Sequence, residues 1–403
     1  LVQQMLLLGY SLGEGSDTVA GPSPMAVGNR VAAAVLAFAS TDNSNEENNY
    51  EDESYEPQND PLPLEEPDFT LLTVIDPNHW QPIAFGDFAL TQNGIETDLI
   101  QIFQGSHWRG VRPFALHRTN PGDIYHDPGA PPMLGDVEGG GDALFKENIN
   151  EVLRHSSWLD PADGATMNIS PQVFGKNTLG FNDGTGHGDN PVTGEPYPDN
   201  IVKRADYGRV VAEFWADGPH SETPPGHWNV LGNEVTDDPE IVFQIGGTGP
   251  VVDELEWDVK RYFAMNAAMH DAAVGAWTCK REYDYVRPIT MARYMGILGQ
   301  SSDPDNEFAL LDPEGLKLEE GLVEVITPDS SAPGERHDHL AEFIGSVAVR
   351  TWAGEPEDPE TQAGGVDWIL AMNWLPYQRD TFVTPAFAGY LSGHSCFSRA
   401  GAE

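Results

Sequence analysis

Basic residues are scarce in this chain. Lys and Arg number 21 against 64 Asp and Glu, and only six of the 21 are Lys, giving a formal net charge of −43. A surface of that sign repels nucleic acid and anionic membranes, which argues against both as partners. It fits a salt-rich habitat, and it fits a secreted or extracytoplasmic acidic protein equally well. Cysteine is almost absent too, with Cys279 and Cys396 the only two. Two cysteines make no disulfide framework and have no zinc-ligand spacing, so the plain reading is a pair of small buried thiols. No apolar run approaches the ~18 residues that a bilayer-spanning helix needs. The longest, Val31 to Phe38, is Ala-rich and far too short. The first residue is Leu1 and the last is Glu403, so the sequence reads as a fragment at both ends, from which a signal peptide could have been lost.

What is present is ordinary globular material. Over 403 residues, 39% are hydrophobic and 10% aromatic, enough for a sizeable core. Helical periodicity dominates and alternating runs are scarce, so the predicted class is mainly α, as a single large helical domain over 1–403. Two helices are expected before residue 40, split by Gly21-Pro-Ser-Pro24, the second with a stripe of Met25, Val27, Val31, Val35, Leu36 and Phe38. An acidic tract follows at 41–68. From Val31 to Trp108 there are fifteen carboxylates and no Lys or Arg, which predicts a solvated, mobile loop. Residues 69–120 read as loops and short turns. Amphipathic helices are expected from Gly139 to about His155 and from Ile201 to Trp215, and a longer one from Val252 to Thr278. Residues His339 to Trp352 read as helical, and Tyr390 begins a last helix.

Between two of these helices lies the loop Gly180-Phe-Asn-Asp-Gly-Thr-Gly-His-Gly-Asp-Asn190. Asp183 and Asp189 could bind calcium there. The loop lacks the alternate acids and closing Glu of an EF-hand, and a plain structured loop explains it as well.

Two stretches within 252–403 carry chemistry. The first, Trp277-Thr-Cys-Lys-Arg-Glu-Tyr-Asp-Tyr-Val-Arg-Pro288, places Lys280 and Arg287 seven residues apart. On an ideal helix that spacing brings two side chains within about 20° of one face, so both cations can aim at one pocket. Lys offers a point charge, and Arg a planar fork suited to an oxyanion. The second is Tyr390-Leu-Ser-Gly-His-Ser395. Ser392 is a good N-cap and Gly393 lets the backbone approach a ligand. The amides of the following turn make a helix N-terminus that attracts anions. His394 then stands where an imidazole can move protons. Taken alone, the first stretch reads more simply as solvated helix charges and the second as a capped helix with a surface histidine.

Together, Lys-x6-Arg-Pro followed by Ser-Gly-His resembles the vanadium-dependent haloperoxidases and the phosphatidic-acid-phosphatase type 2 superfamily. The likeness to bacterial vanadium haloperoxidase-like proteins extends to Asp76-Pro-Asn-His-Trp-Gln-Pro82, to His107-Trp108 leading to Pro113-Phe114, and to Thr384-Pro385 leading through Ser392-Gly-His-Ser-Cys-Phe-Ser-Arg-Ala400. It covers the chain from about residue 25 onward. The resemblance implies that Lys280, Arg287, Ser392 and the Gly393 amide hold vanadate, and that His394 is the acid–base histidine. It implies that Trp277 and Phe387 line the site. The cofactor would be vanadate, and the partners hydrogen peroxide, a halide and a small organic acceptor.

The sequence departs from the family in two places. The family's third motif, Ser-Arg-x5-His-x3-Asp, supplies another Arg and the His that ligates vanadium, and it does not occur here. Ser398-Arg399 is a false echo, too close to His394. In the family that motif lies tens of residues downstream, so truncation explains its absence, and these residues alone would be inactive. The second departure is the separation of Pro288 and Ser392, over a hundred residues and longer than the family's habit. Two other readings stay open: an acid phosphatase of the same superfamily, and a catalytically silent anion-binding or structural member.

Overall fold

The computed structural model describes all residues except 1–6, 8–17, 53, 65–73, 93, 175–185, 191–192, 216–217, 219–220 and 360. The first of the two expected N-terminal helices lies outside the described residues. The second is α1, Pro24–Ala39, with Pro24 in its first turn and the Ser23 hydroxyl accepting from the Ala26 amide at 3.2 Å. Its apolar stripe faces outward: Met25, Val27, Val31, Val35 and Leu36 are all exposed. The helix is tethered at its end, where Phe38 stacks on Phe114 at 4.8 Å with Arg112 over the ring.

The acidic tract is expected to be a mobile loop; most of its described residues are exposed, and a few of them are anchored. Asp42 is buried and its carbonyl accepts from Arg112 N–H at 2.8 Å. Asn59 is buried and bonds the backbone of Ile75, Asp76 and His79. Leu62–Pro63 (β1) pairs in parallel with Ile83–Ala84 (β2). A few apolar and amide side chains among the acids suffice to dock the tract, which a count of charges does not register.

Helix α2, Gly141–Ser157, buries Phe145, Ile149 and Leu153 at four-residue spacing. The expected helix from Ile201 is shorter and begins as a strand. Ile201–Lys203 (β4) pairs antiparallel with Thr166–Asn168 (β3), and only then does α3, Arg204–Val210, start, continuing as a π-helical turn Val211–Trp215. β-branched Ile201 and Val202 favour the extended form when a partner strand is present. Helix α4 is Pro224–Asp237.

Helix α5, Glu254–Tyr283, is the long element. Asp253 caps it, accepting from the Glu256 amide at 2.9 Å. Its first half exposes Leu255, Val259 and Phe263, while its second half buries Met269, Ala273, Val274, Ala276 and Trp277. Helix α6 is Pro288–Leu298, and α7 is Gly393–Ala402. The expected helix at 339–352 is a correction. A short 3₁₀ turn, Asp338–Phe343, ends before Gly345, whose φ of 96° breaks the helix, and Val347–Trp352 is strand β6. It lies between Val323–Val325 (β5) and Val366–Leu370 (β7) in an antiparallel sheet. Its run of Val, Thr and Trp is strand chemistry that sandwiching between two partners brings out.

One core joins Phe145, Ile149 and Leu153 to Ile289, Met295, Val347 and Val349. A second, more aromatic one gathers Trp80, Phe103, Met269, Trp277, Phe387 and Phe397 beneath the two chemistry-bearing stretches. The protein is mainly helical, and among the described residues no helix is long and apolar enough to cross a membrane.

Candidate anion-binding site

Lys280 and Arg287 do not share a helix. Helix α5 ends at Tyr283, Asp284 takes the left-handed conformation at φ 43°, and Arg287 is the N-cap of α6 with Pro288 behind it. Pro288 therefore starts a helix rather than simply ending one. The turn nevertheless brings the two cations together on one short segment. Lys280 Nζ donates to the carbonyl of Ala388 at 2.7 Å and to that of Gly389 at 3.4 Å. Arg287 Nε donates to the carbonyl of Phe387 at 2.6 Å. Both heads lie over the Phe387 ring, at 4.9 and 4.8 Å.

The electrostatics of this pair are unusual for so acidic a chain. Lys280 is 1% exposed, and no carboxylate among the described residues pairs with it or with Arg287. Burial, and then the charge of Arg287, hold the Lys280 ammonium well below its ordinary pKa. Arg287 is half-buried, and burial pushes it down to about 9. Two free thiols flank Lys280. Burial raises Cys279 to about 11 and raises Cys396 as well, and each feels the lysine's charge as an opposing pull.

The second stretch arrives as a helix N-terminus. Ser392 is the N-cap of α7, its Oγ accepting from the Ser395 amide at 3.3 Å. That leaves its O–H proton to donate elsewhere. Ser392 is exposed, Gly393 buried and His394 half-buried in the first turn. The two stretches meet through Trp277. A side chain at Gly393 would come within 3.2 Å of the Trp277 ring. The indole donates to the Gln104 carbonyl at 2.7 Å, contacts Phe387 and Trp108 at 4.8 and 5.6 Å, and lies under Lys280 Nζ at 5.6 Å. Gly105 sits at φ 75° against the indole nitrogen, where a side chain would clash.

A strap holds the turn in place. The segment 76–80 runs antiparallel to 284–286, with Trp80 N–H donating to Asp284 O at 2.7 Å and Val286 N–H to Asn78 O at 2.9 Å. Gly389 N–H bonds Tyr285 O on the other side at 2.8 Å. The buried Asp284 carboxylate accepts from Tyr55 Oη at 2.7 Å and faces His79 at 3.4 Å. Burial raises its pKa to about 6, against the opposing pull of Tyr55 and His79. Sequence reasoning noticed 76–80 only as a likeness. The functional part of Tyr55 and Asp284, holding the turn, had no local signal. Asp271 does a similar job farther back, accepting from three successive amides, Phe114, Ala115 and Leu116, at 2.7 to 3.0 Å.

The remaining candidates lie elsewhere. Asp183 is outside the described residues. Asp189 is exposed and its backbone bridges Pro196. Among the described residues no group of three or more His, Cys, Asp or Glu is placed to hold a metal ion. Arg399 pairs with Glu403 at the surface, so Ser398-Arg399 adds no cation to the cradle.

Residues 260–403 match the family model of the VCPO (vanadium chloroperoxidase) second helical-bundle domain. Among solved structures, the apo-type bacterial vanadium-dependent chloroperoxidase superimposes with a TM-score of 0.52 at 16% identity, covering 97% of this chain and 58% of that one. The holo-type structure gives 0.52 and 16%, covering 98% of this chain and 57% of that one. The chain thus spans less than two thirds of the length of these structures, and at this identity the likeness is one of fold. No curated protein matches the chain. The mainly helical fold of these chloroperoxidases is thus shared along nearly the whole chain, and the part that carries both stretches is the part that matches the second helical-bundle model.

Proposed function

We propose that the cradle of Lys280, Arg287, Ser392 and Gly393 binds vanadate and that the protein is a haloperoxidase, oxidising halide with hydrogen peroxide to a halogenating species of hypohalous-acid type. One observation carries the reading: the buried Lys280 and the half-buried Arg287 converge on the carbonyls of 387–389 with no carboxylate partner among the described residues, in a chain with 64 acids to choose from. Buried cations are ordinarily paired. A pair left without an internal counter-ion, beside a helix N-terminus, fits an anion from outside. The bacterial chloroperoxidases of the same fold are named as vanadium-dependent, which selects vanadate among oxyanions.

Bound vanadate would supply a Lewis-acidic centre for peroxide activation. The residues of the chain supply the electrostatics. Lys280 and Arg287 would offset the anion's charge, Lys280 from a buried position where such an offset is larger than in water. The Ser392 hydroxyl and the Gly393 amide would help to hold it as hydrogen-bond donors. His394, in the same turn, would serve as the acid–base group. Trp277 and Phe387 wall the site with aromatic faces. The third-motif groups are not among these 403 residues, so turnover is to be assayed on the gene's whole product.

That product, incubated with orthovanadate, is expected to brominate a phenol-type dye with bromide and peroxide. His394→Ala should lower turnover by at least 10²-fold, the usual contribution of a positioned acid–base group, with the melting profile unchanged. Because phosphate has the same shape and charge type, the cradle also fits a phosphatase. Phosphomonoester hydrolysis with no vanadate-dependent bromination would replace the haloperoxidase reading with that one.

A further inference from the structure

A second feature of the fold adjoins the cradle. A cavity of about 640 Å³ lies between α2, α3 and the segment leading into the cradle, and Arg287 and Pro288 form part of its wall. Its lining is apolar and aromatic, with Leu159, Met167, Trp158, Trp374 and Val383 prominent. Among the described residues, none that lines it is Asp or Glu. In a chain of charge −43, a cavity of that size without one carboxylate is a departure that needs a cause.

The two cations in its wall are already engaged. Arg204 pairs with Asp163 at 2.7 Å and lies over the Trp158 ring at 4.7 Å. Arg287 Nε is bonded to the Phe387 carbonyl. Among the described residues the cavity therefore offers a ligand no carboxylate, and each arginine in its wall already holds a bonding partner. It offers flat aromatic and aliphatic surface in a volume typical of sites for molecules of roughly twenty heavy atoms. We infer that this cavity is a binding site for a flat, largely apolar organic molecule without positive charge, held with one edge beside Arg287, and that this class is the organic acceptor of the reaction. A cation is disfavoured by Arg287 at the inner wall and by the lack of any carboxylate to meet it.

The identification of the ligand as acceptor rests on the vanadate reading, while the binding site itself does not. The test uses a matched fluorescent pair, 1-pyrenemethanol and 1-pyrenemethylammonium, titrated into the wild-type protein and into two variants that plug the cavity from different elements, Ala212→Trp and Met167→Trp. Orthovanadate binding is followed in parallel by ⁵¹V NMR. Pyrenemethanol should bind one-to-one, at least tenfold tighter than the ammonium, and lose at least tenfold in affinity in each plugged variant, while vanadate binding persists. Equal affinity for the two pyrenes, or pyrenemethanol binding indifferent to both plugs, overturns the cavity assignment. Plug-sensitive pyrene binding without any vanadate binding keeps the cavity and removes the vanadate reading. Should one plugged variant fail to fold, the other variant and the charge comparison in the wild type still decide.

Discussion

Replacing Lys280 with Met separates what the cradle costs from what it does. The substitution keeps the unbranched shape of the side chain and removes the charge. Taking an ammonium out of water costs several kcal/mol even after local relaxation. At Lys280 the donations to the Ala388 and Gly389 carbonyls offset part of that, charged hydrogen bonds returning about 1.5–3 kcal/mol each when well formed. Only the 2.7 Å contact is well formed. The Met variant forfeits it and leaves a carbonyl less satisfied, yet escapes the desolvation of a charge with no counter-ion. The net expectation is a gain on the order of 1–2 kcal/mol for the anion-free protein at pH 7. For a chain of 403 residues, unfolding entropy near 2.1 cal/mol/K per residue turns this into a rise in Tm of about 1–2 °C.

The same variant should lose the response to anion. Oxyanion at a hundred times its Kd stabilises the wild type by about 2.7 kcal/mol, or about 3 °C here, and should leave Lys280→Met unmoved. The pH dependence supplies a second check. The folded-state pKa of Lys280 lies well below 10.5, so below 10.5 the folded chain holds fewer protons than the unfolded one. Its stability therefore rises with pH across the window between that lowered value and 10.5. The advantage of Met is largest at the acid end of the window and gone above 10.5. Calorimetric melts at three pH values, with and without vanadate, measure all of this. A Met variant that melts lower than wild type without anion, yet keeps its anion shift, refutes the account of the cradle.

Three further outcomes follow from the same geometry. Asp284 has its pKa raised from 3.8 to about 6, so the folded state holds the extra proton and stability falls as pH rises through that window, by about 3 kcal/mol at most once ionised. Asp284→Asn keeps the bond from Tyr55 and tolerates the left-handed backbone, so denaturant melts should show it more stable than wild type at pH 8 and equal to it below pH 4; a loss at pH 8 contradicts the assignment. Gly393→Val puts branched atoms against the Trp277 ring, whose Cζ3 is 3.2 Å from the position of the first added carbon, and should cost about 1–3 kcal/mol with a shift in tryptophan emission. Cys279, buried and raised to about 11, should react with iodoacetamide at pH 8 at least tenfold slower than a free thiol in the native protein and at the ordinary rate in denaturant.

The parts of the fold legible in the sequence were those set by local chemistry. Ser392 as N-cap, the register of α2 and the run of α5 are all decided within a few residues. What escaped depends on partners far away in sequence. Val347–Trp352 reads as a helix until β5 and β7 are beside it, and Ile201–Lys203 until β3 is. Apolar stripes were legible as stripes, but not which way they face. Met25, Val31, Leu255 and Phe263 keep the helical period and stay exposed, while Trp277 and Lys280 on the same α5 are buried. Periodicity fixes which residues share a face, and only packing decides whether that face is covered.

The two cations show the limit most sharply, because the spacing argument reached the right convergence by the wrong geometry. Had α5 run on through Arg287, seven residues at 1.5 Å each would have set the two side chains about 10 Å apart along the axis. Their targets, the carbonyls of Phe387, Ala388 and Gly389, are successive. A straight helix cannot bring both heads to so short a segment without stretching one of them away. Breaking the helix at Asp284 and restarting it at Pro288 folds the seven residues back, and the strap at 76–80 fixes the fold-back through two backbone bonds. The proposed anion cradle is thus set by Asp284, Pro288 and residues 76–80 as much as by the cations themselves, and a substitution that lets α5 continue would disperse the two cations while leaving both in the sequence.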